Sequence, residues 1–327
     1  MNDDPVHEGR PVVALTGATG FIGHALRTHL MAAGYRVRAL YRPRRGRVMQ
    51  CADGLKWVAG DLADRDALAE LVKGADAVIH CAGSVRGASR ADFDRVNEAG
   101  VVDIVRAAEN EPSVRRFLLI SSLAAREAQL SDYAGSKRRG ELALQAGAQR
   151  MTWTIIRPPA VYGPGDKEML PMFRGMARGV AAIPGDGNGR FSMIHVADLA
   201  SAVVAWLDSG RGVGATYELD DGHGGYDWPT VLGTAARVLR GGAPIRRLAI
   251  PVPVLRFVGR TNLMAARVFG YAPMLSPGKV REVTHADWSA DSHAFSQDTG
   301  WRPAISFDRG LAETLGLSPQ AVTGVPS

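Results

Sequence analysis

Six short apolar runs, each followed by a turn or an amphipathic stretch, constrain this chain more than any other feature. They are "PVVALTG" at 11–17, "YRVRALY" at 35–41, "LKWVAGD" at 55–61, "DAVIHCAG" at 76–83, "VRRFLLISS" at 114–122 and "MTWTIIRP" at 151–158. Helical patterns lie between them: residues 21–33, stopping at Gly34; "DLADRDALAELVKG" with an aspartate to cap it and a glycine to close it; "ADFDRVNEAGVVDIVRAAEN"; and "SDYAGSKRRGELALQAG". Alternating strands and helices of this kind build βαβ units. The strands are apolar throughout, as strands covered on both faces are. The expected fold is therefore α/β, a Rossmann-like doubly wound parallel sheet. Residues 1–157 are expected to form a dinucleotide-binding core, and 158–327 a smaller, mainly substrate-binding region with some segments returning to the core.

That frame gives "TGATGFIG" its meaning. Gly17, Gly20 and Gly23 fall where the first strand turns into the first helix. Glycines there permit a tight turn and let the backbone approach a pyrophosphate resting on the free N–H groups of the helix N-terminus. A dinucleotide site is expected. An acidic residue about 20 positions on would hold a ribose 2′-hydroxyl, but the sequence there reads "ALYRPRR", with no carboxylate between Val37 and Met49. Arg42, backed by Arg44 or Arg45, can pair instead with a 2′-phosphate. NADP is expected as cofactor, with NAD the alternative.

"SDYAGSKRRGE" sets Tyr133 one helical turn before Lys137, so the two side chains share a face with β-carbons about 5–6 Å apart. A phenol titrates near pH 10, and a cation beside it favours the phenolate. Any surface helix collects such pairs, so this one draws significance from its place after the fifth strand.

Composition removes several classes. Of 327 residues 46% are apolar and 22% charged, an ordinary globular balance. The net charge of +6 is gathered largely in "RPRRGR" (42–47) and "KRRGE" (137–141), with no nucleic-acid motif, so a small anionic ligand is expected and nucleic acid is not. The opening "MNDDPVHEGR" lacks the pattern of a signal peptide, and no run of 18 apolar residues exists to span a bilayer. Cys51 and Cys81 are too few for a disulfide framework and lack metal-ligand spacing, so no metal is expected; Cys81 reads as a core thiol, and a reducing cytoplasm fits.

Together these segments resemble the extended short-chain dehydrogenase/reductases, also called the NAD-dependent epimerase/dehydratase family. The resemblance runs from "TGATGFIG" through "GDL" (60–62), "VIHCAG" (78–83), "VNEAG" (96–100), "ISS" (120–122), "YAGSK" (133–137), "RPPAVYGPGD" (157–166) and "RFSMIHVADLA" (190–200) to the tail "TGWRPAISFDRGLAETL". It implies that Tyr133 is the general acid/base, that Lys137 binds the nicotinamide ribose and lowers the tyrosine's pKa, and that Ser122 hydrogen-bonds the substrate oxygen. It places Asp61 and Leu62 on adenine. Thr19, Phe21 and Ile22 of the glycine turn, with Ala82, Gly83 and Pro158, would line the cofactor. Asn97 matches an asparagine that relays protons or fixes the helix backbone; a polar group satisfying a local backbone atom is the other reading. His195 reads as a packed histidine and Asp198 as a helix cap.

Two departures from the family pattern matter. Only ten residues separate Ser122 from Tyr133, so the site wall there is thin. Leu123 and Ala124 stand where sugar dehydratases carry an aspartate–glutamate pair, and neither moves a proton, which argues against dehydration. The expected activity is hydride transfer between NADPH and a ketone or secondary alcohol of a small, fairly apolar substrate, nearest in feel to hydroxysteroid dehydrogenase and dihydroflavonol reductase-like members. A nucleotide-sugar epimerase is the alternative, and a non-catalytic NADPH-binding sensor or assembly factor a third. "EMLPMFRGM" would line an apolar pocket or simply be core. The apolar, arginine-spaced stretch 250–275 is expected as substrate lid, with membrane contact as its alternative; a homodimer is left open.

Overall fold

The computed structural model of the protein describes residues 10–43, 49–50 and 52–317. The expectations for the chain start, for Arg44 and Arg45, and for Cys51 lie outside the described residues. In chain order, β1 (Val12–Thr16) turns into α1 (Phe21–Ala32), then β2 (Arg36–Tyr41), β3 (Leu55–Ala59), α2 (Arg65–Val72) and β4 (Ala77–His80). The expected long helix after β4 is interrupted: α3 (Arg90–Asp94), a π-helical turn (Arg95–Ala99) and α4 (Gly100–Asn110) run on from one another. β5 (Arg116–Ile120), a 3₁₀ turn (Leu123–Glu127), α5 (Asp132–Gly147) and β6 (Thr152–Arg157) complete the N-terminal alternation.

These six strands and one later strand pair in parallel, and the central β4 is buried at every position. Capping follows the local sequence. Asp64 accepts from the Ala67 N–H at the head of α2, Ser89 and Asp92 form a reciprocal box at α3, and Ser131 accepts from Ala134 at α5. At the end of α1, Gly34 takes a left-handed φ of 87°, where a side chain would be strained.

The second half opens with β7 (Ala160–Tyr162), α6 (Leu170–Ala177), β8 (Val180–Pro184), β9 (Arg190–Phe191), β10 (Met193–His195), α7 (Val196–Ser209) and β11 (Ala215–Glu218). Strand β11 adds to the edge of the main sheet beside β6, giving seven strands in the order β11-β6-β5-β4-β1-β2-β3. Helix α7 lies against α1, and its Leu199, Val203 and Trp206 enter the same core as Leu15, Leu26 and Ile79. After them come α8 (Trp228–Arg240), β12 (Arg246–Ile250), α9 (Val252–Phe269), α10 (Pro277–Val283), β13 (Asp287–Trp288), α11 (His293–Thr299) and α12 (Phe307–Thr314). Three two-stranded parallel pairs, β7 with β10, β8 with β12 and β9 with β13, organise this half. Its core gathers Tyr162, Phe173, Met176, Val231, Phe307 and Leu311.

Asp198 does not cap its helix. His195 is the N-cap of α7, its Nδ1 accepting from Ala197 at 3.3 Å, while the buried Asp198 carboxylate accepts from Ala304 and Ile305, 3.1 and 2.9 Å away. It ties the chain's C-terminal segment to α7. His195 is packed as expected, but its Nε2 has no hydrogen-bond partner and stands 3.7 Å from the Glu313 carboxylate.

Candidate active site

In a doubly wound sheet, ligands sit beyond the carboxyl ends of the strands, where the strand order reverses. Here that crevice lies between β1 and β4, and its floor is the glycine turn. Gly17 has φ 73°, and a β-carbon on it would come within 2.7 Å of the Ala82 nitrogen. A β-carbon on Gly23 would come 2.0 Å from the Gly17 carbonyl oxygen, so α1 meets the turn only because Gly23 is bare. Gly20 and Thr19 are exposed and Phe21 and Ile22 half-buried; α1 begins at Gly20 with no side-chain cap, leaving its first N–H groups for a ligand.

The opposite lip is formed after β4. Asn97, buried in the π-helical turn, donates from Nδ2 to the Ser84 carbonyl and to Ser136 Oγ, each at 2.9 Å, and accepts the Ser84 N–H at 2.8 Å. It clamps residues 83–84 to α5. A β-carbon on Gly83 would lie 3.1 Å from Lys137 Nζ and 3.2 Å from Asn97 Oδ1, so the bare glycine keeps open a space beside a buried ammonium. Lys137 Nζ donates to the Ile120 carbonyl at 3.1 Å. Burial lowers its pKa, with Cys81 and Glu141 pulling the other way. The cradle, the uncapped helix and the ammonium fit a dinucleotide.

The remaining expected cofactor residues spread along the same edge. Arg42 follows β2, exposed, and the register of Leu15 against Ala39 brings the end of β2 alongside the glycine turn. Asp61 accepts from the Ala63 N–H at 2.9 Å, closing a turn ahead of α2. Leu62 packs at Gly100, where a β-carbon would meet it at 2.6 Å. Pro158 is buried, and its carbonyl accepts from Leu123 at 2.9 Å.

Ser122 and Tyr133 stand at the end of β5 and the start of α5, beside Lys137's helix turn. Tyr133 meets Phe93 edge-on, with ring centroids 6.0 Å apart. Sequence alone suggested a phenol pKa lowered by Lys137. In the structure, burial pushes Tyr133 up to about 12; a hydrogen bond with Ser122 pulls it back, Glu282 adds to the rise, and Lys137 is not among the groups that move it. The helix is anchored from behind by Glu141, which is fully buried and accepts from Ser121 at 2.6 Å, from Arg157 at 2.8 and 2.7 Å and from Arg138 at 3.0 Å.

Two groups under the site, the buried His80 and the half-buried Cys81, stay neutral. Burial, then Lys137, holds the His80 imidazole at about 3, and its Nδ1 lies 2.9 Å from Thr16 Oγ1, which also accepts from Ala82. Burial raises the Cys81 thiol to about 12, as a core thiol should be.

Ser122 and Tyr133 open into a cavity of about 950 Å³. Its walls include Phe93, Met169, Met172, Trp228, Trp288 and Leu263. "EMLPMFRGM" thus divides: Met169 and Met172 line the cavity, Phe173 and Met176 fill the core. The thin wall after Ser122 is braced by Arg126, which bonds the Glu218 carboxylate at 3.1 Å and the Ser289 and Asp287 carbonyls at 2.9 Å. Glu282 escaped the sequence reading. It accepts from Ser131 at the cap of α5, pairs with Lys279 at 2.9 Å, and lies 149 positions beyond Tyr133, where no local motif marks it.

A parallel sheet in this order, with a bare glycine turn after its first strand, is the frame of a nucleotide-dependent α/β enzyme. The NAD dependent epimerase/dehydratase family matches residues 13–219; the chain belongs to that family and is an NAD(P)-dependent oxidoreductase. It is similar to the ceramide reductase of Caulobacter vibrioides (strain NA1000 / CB15N), 38% identical over 286 residues that cover 87% of this chain and 88% of the other. It is also similar to a 4-hydroxy-2-methyl-3-oxo-4-farnesyl-3,4-dihydroquinoline-1-oxide ketoreductase of Stigmatella aurantiaca, 30% identical over 232 residues, 64% of this chain and 67% of the other. MoeE5 in complex with UDP-glucuronic acid and NAD shares the fold, with a TM-score of 0.71 at 21% identity over 94% of this chain and 98% of that one.

Proposed function

We propose that this enzyme is an NADP-dependent reductase acting on a ketone, or in reverse a secondary alcohol, carried by a lipid-like substrate. The observation that carries the reading is the opening of Ser122 and Tyr133 into a large cavity walled by Phe, Met, Trp and Leu side chains. The aromatic, methionine and leucine walls suit an apolar body with one reacting oxygen, and the charged side chains among them, such as Arg190, Lys279 and Glu282, suit a polar head at one end of it. The relatives named for a ceramide and for a farnesyl-bearing ketone point the same way. Arg42 and the missing carboxylate after β2 favour the 2′-phosphorylated cofactor.

The glycine turn, Ala82, Gly83 and Lys137 would hold the dinucleotide, with Arg42 on its 2′-phosphate. When bound, that cofactor supplies a hydride to the carbonyl carbon. Ser122 and Tyr133 hold the carbonyl oxygen by hydrogen bonds and orient it. Tyr133, protonated at neutral pH because burial raises its pKa, then gives its proton to that oxygen. The phenolate left behind takes a proton back from solvent. Asn97 keeps the lip at residues 83–84 in place.

Stoichiometry tests the reading against the epimerase alternative. With limiting NADPH and a detergent-dispersed long-chain ketone, one nicotinamide absorbance should be lost per product formed, and the product should be heavier than the substrate by two hydrogen atoms. Many turnovers per nucleotide without recycling, giving a product isomeric with the substrate, would overturn it and promote the epimerase.

A further inference from the structure

Helix α9 has a face that nothing among the described residues covers. Its inward side chains are Leu255, Gly259 and Ala266, and at Gly259 the helix comes so near α10 that a β-carbon would meet the Ser276 carbonyl carbon at 3.2 Å. At 100° per residue, Val254, Phe257, Val258, Met264, Val268 and Phe269 fall together on the outer side, within an arc of about 140°. Phe257 is 68% exposed, and Val268 and Phe269 each 78%. A helix of 18 residues presenting two bare phenylalanines to water needs an occupant for that face.

The charges beside it say which. Arg256, Arg260 and Arg267 form an exposed row along one flank of the apolar arc. From Trp228 to Arg281 the sequence holds nine basic residues and no aspartate or glutamate, in a chain whose net charge is +6. That segment alone therefore carries +9, more than the net charge of the whole chain, while the remainder, its basic clusters at 42–47 and 137–141 included, sums to −3. An apolar stripe edged by arginine is the pattern of a helix lying in the plane of an anionic lipid surface. It is not a spanning helix: no helix of the described residues is long and apolar enough to cross a membrane.

The same helix is also a wall of the cavity, through Val252, Leu263 and Arg267. A bilayer held against its outer face would lie one helix away from the chamber that holds Ser122 and Tyr133. We propose that the outer face of α9 docks the enzyme on an anionic bilayer and brings the cavity to the lipid phase. The docking stands by itself; only its purpose, delivery of a lipid substrate, rests on the function proposed above.

Cosedimentation with vesicles tests it in the absence of cofactor and substrate. The full chain should bind vesicles containing about one-third phosphatidylglycerol at least tenfold more strongly than pure phosphatidylcholine, and lose that binding in high salt. Phe257→Ser with Phe269→Ser, and separately Arg256→Gln with Arg260→Gln, should each cut binding at least tenfold. Neither pair lines the cavity, so both variants should keep the parent's melting temperature and its turnover of a detergent-dispersed ketone. Equal, negligible binding of the parent to both vesicle types overturns the proposal, as does unchanged binding in both variants. A parent dimer that dissociates on Phe257→Ser with Phe269→Ser, without vesicle binding, would assign the face to a second copy instead. Absent turnover with intact vesicle binding would count against the reductase reading and leave the docking standing.

Discussion

A single hydroxyl divides what Tyr133 does for the fold from what it does for chemistry. Its ring packs edge-on to Phe93 and would do the same as phenylalanine. The oxygen alone meets Ser122 and, in the proposed reaction, the carbonyl. Tyr133→Phe should therefore leave the melting temperature and NADPH affinity unchanged while turnover falls by about two to four orders of magnitude, the usual scale for a lost general acid/base. Near-normal turnover of the variant would move the proton transfer elsewhere. Ser122 at its strand end was reached through the resemblance to the family, whereas the placing of Tyr133 one turn before Lys137 was legible because the spacing is local. The direction of the tyrosine's pKa was not, since it follows from burial and from Glu282, which reaches the site from a distant helix.

Among the elements, α5 carries Tyr133 and Lys137, the side chains the proposed reaction uses, and its position depends on close backbone approach. Gly140 faces the π-helical turn, and a β-carbon there would come 2.1 Å from the Asn97 carbonyl oxygen. Neither partner can give easily: one is helix backbone, and the other is held by three hydrogen bonds from the Asn97 side chain. Gly140→Ala should push α5 away and cost about 1–3 kcal/mol, the scale of overpacking a core, offset only slightly by alanine's better helix propensity. Because Tyr133 and Lys137 ride on the same helix, turnover should fall at least tenfold at temperatures where the variant is still folded. Urea unfolding within 0.5 kcal/mol of the parent, a margin typical of surface changes, would show that the contact relaxes without effect. The sequence marked "VNEAG" as a helix but not as a π turn; an extra residue in one turn leaves the apolar pattern almost unchanged. It likewise missed β11, whose four residues follow Gly210, Gly212 and Gly214 and are too few to show a period.

Across the whole molecule, what was readable is what the chain repeats: six strands, their helices and the turn that leaves β1. Of the cavity wall, the stretches that hold Met169, Met172 and Leu263 read as pocket and lid, but Trp228 and Trp288 do not, because they come from segments that share no pattern and meet the rest only in space. The nucleotide would bind at the other end of this arrangement, across turns supplied by β1, β2 and β4, so its binding energy should appear as stability of the entire fold. A ligand held only by the folded state at 100 times its dissociation constant stabilises by about 2.7 kcal/mol. If Arg42 pairs with a 2′-phosphate, NADPH should bind at least tenfold tighter than NADH, about 1.4 kcal/mol. At the same saturating concentration the NADPH-loaded protein should then unfold at the higher temperature, by that difference in free energy. Arg42→Ala lies on an exposed residue after β2, so it should leave the nucleotide-free protein unchanged while making the two cofactors equal. Equal shifts from NADPH and NADH in the unmutated chain would remove the 2′-phosphate contact from Arg42 and return the enzyme to the NAD users of its family.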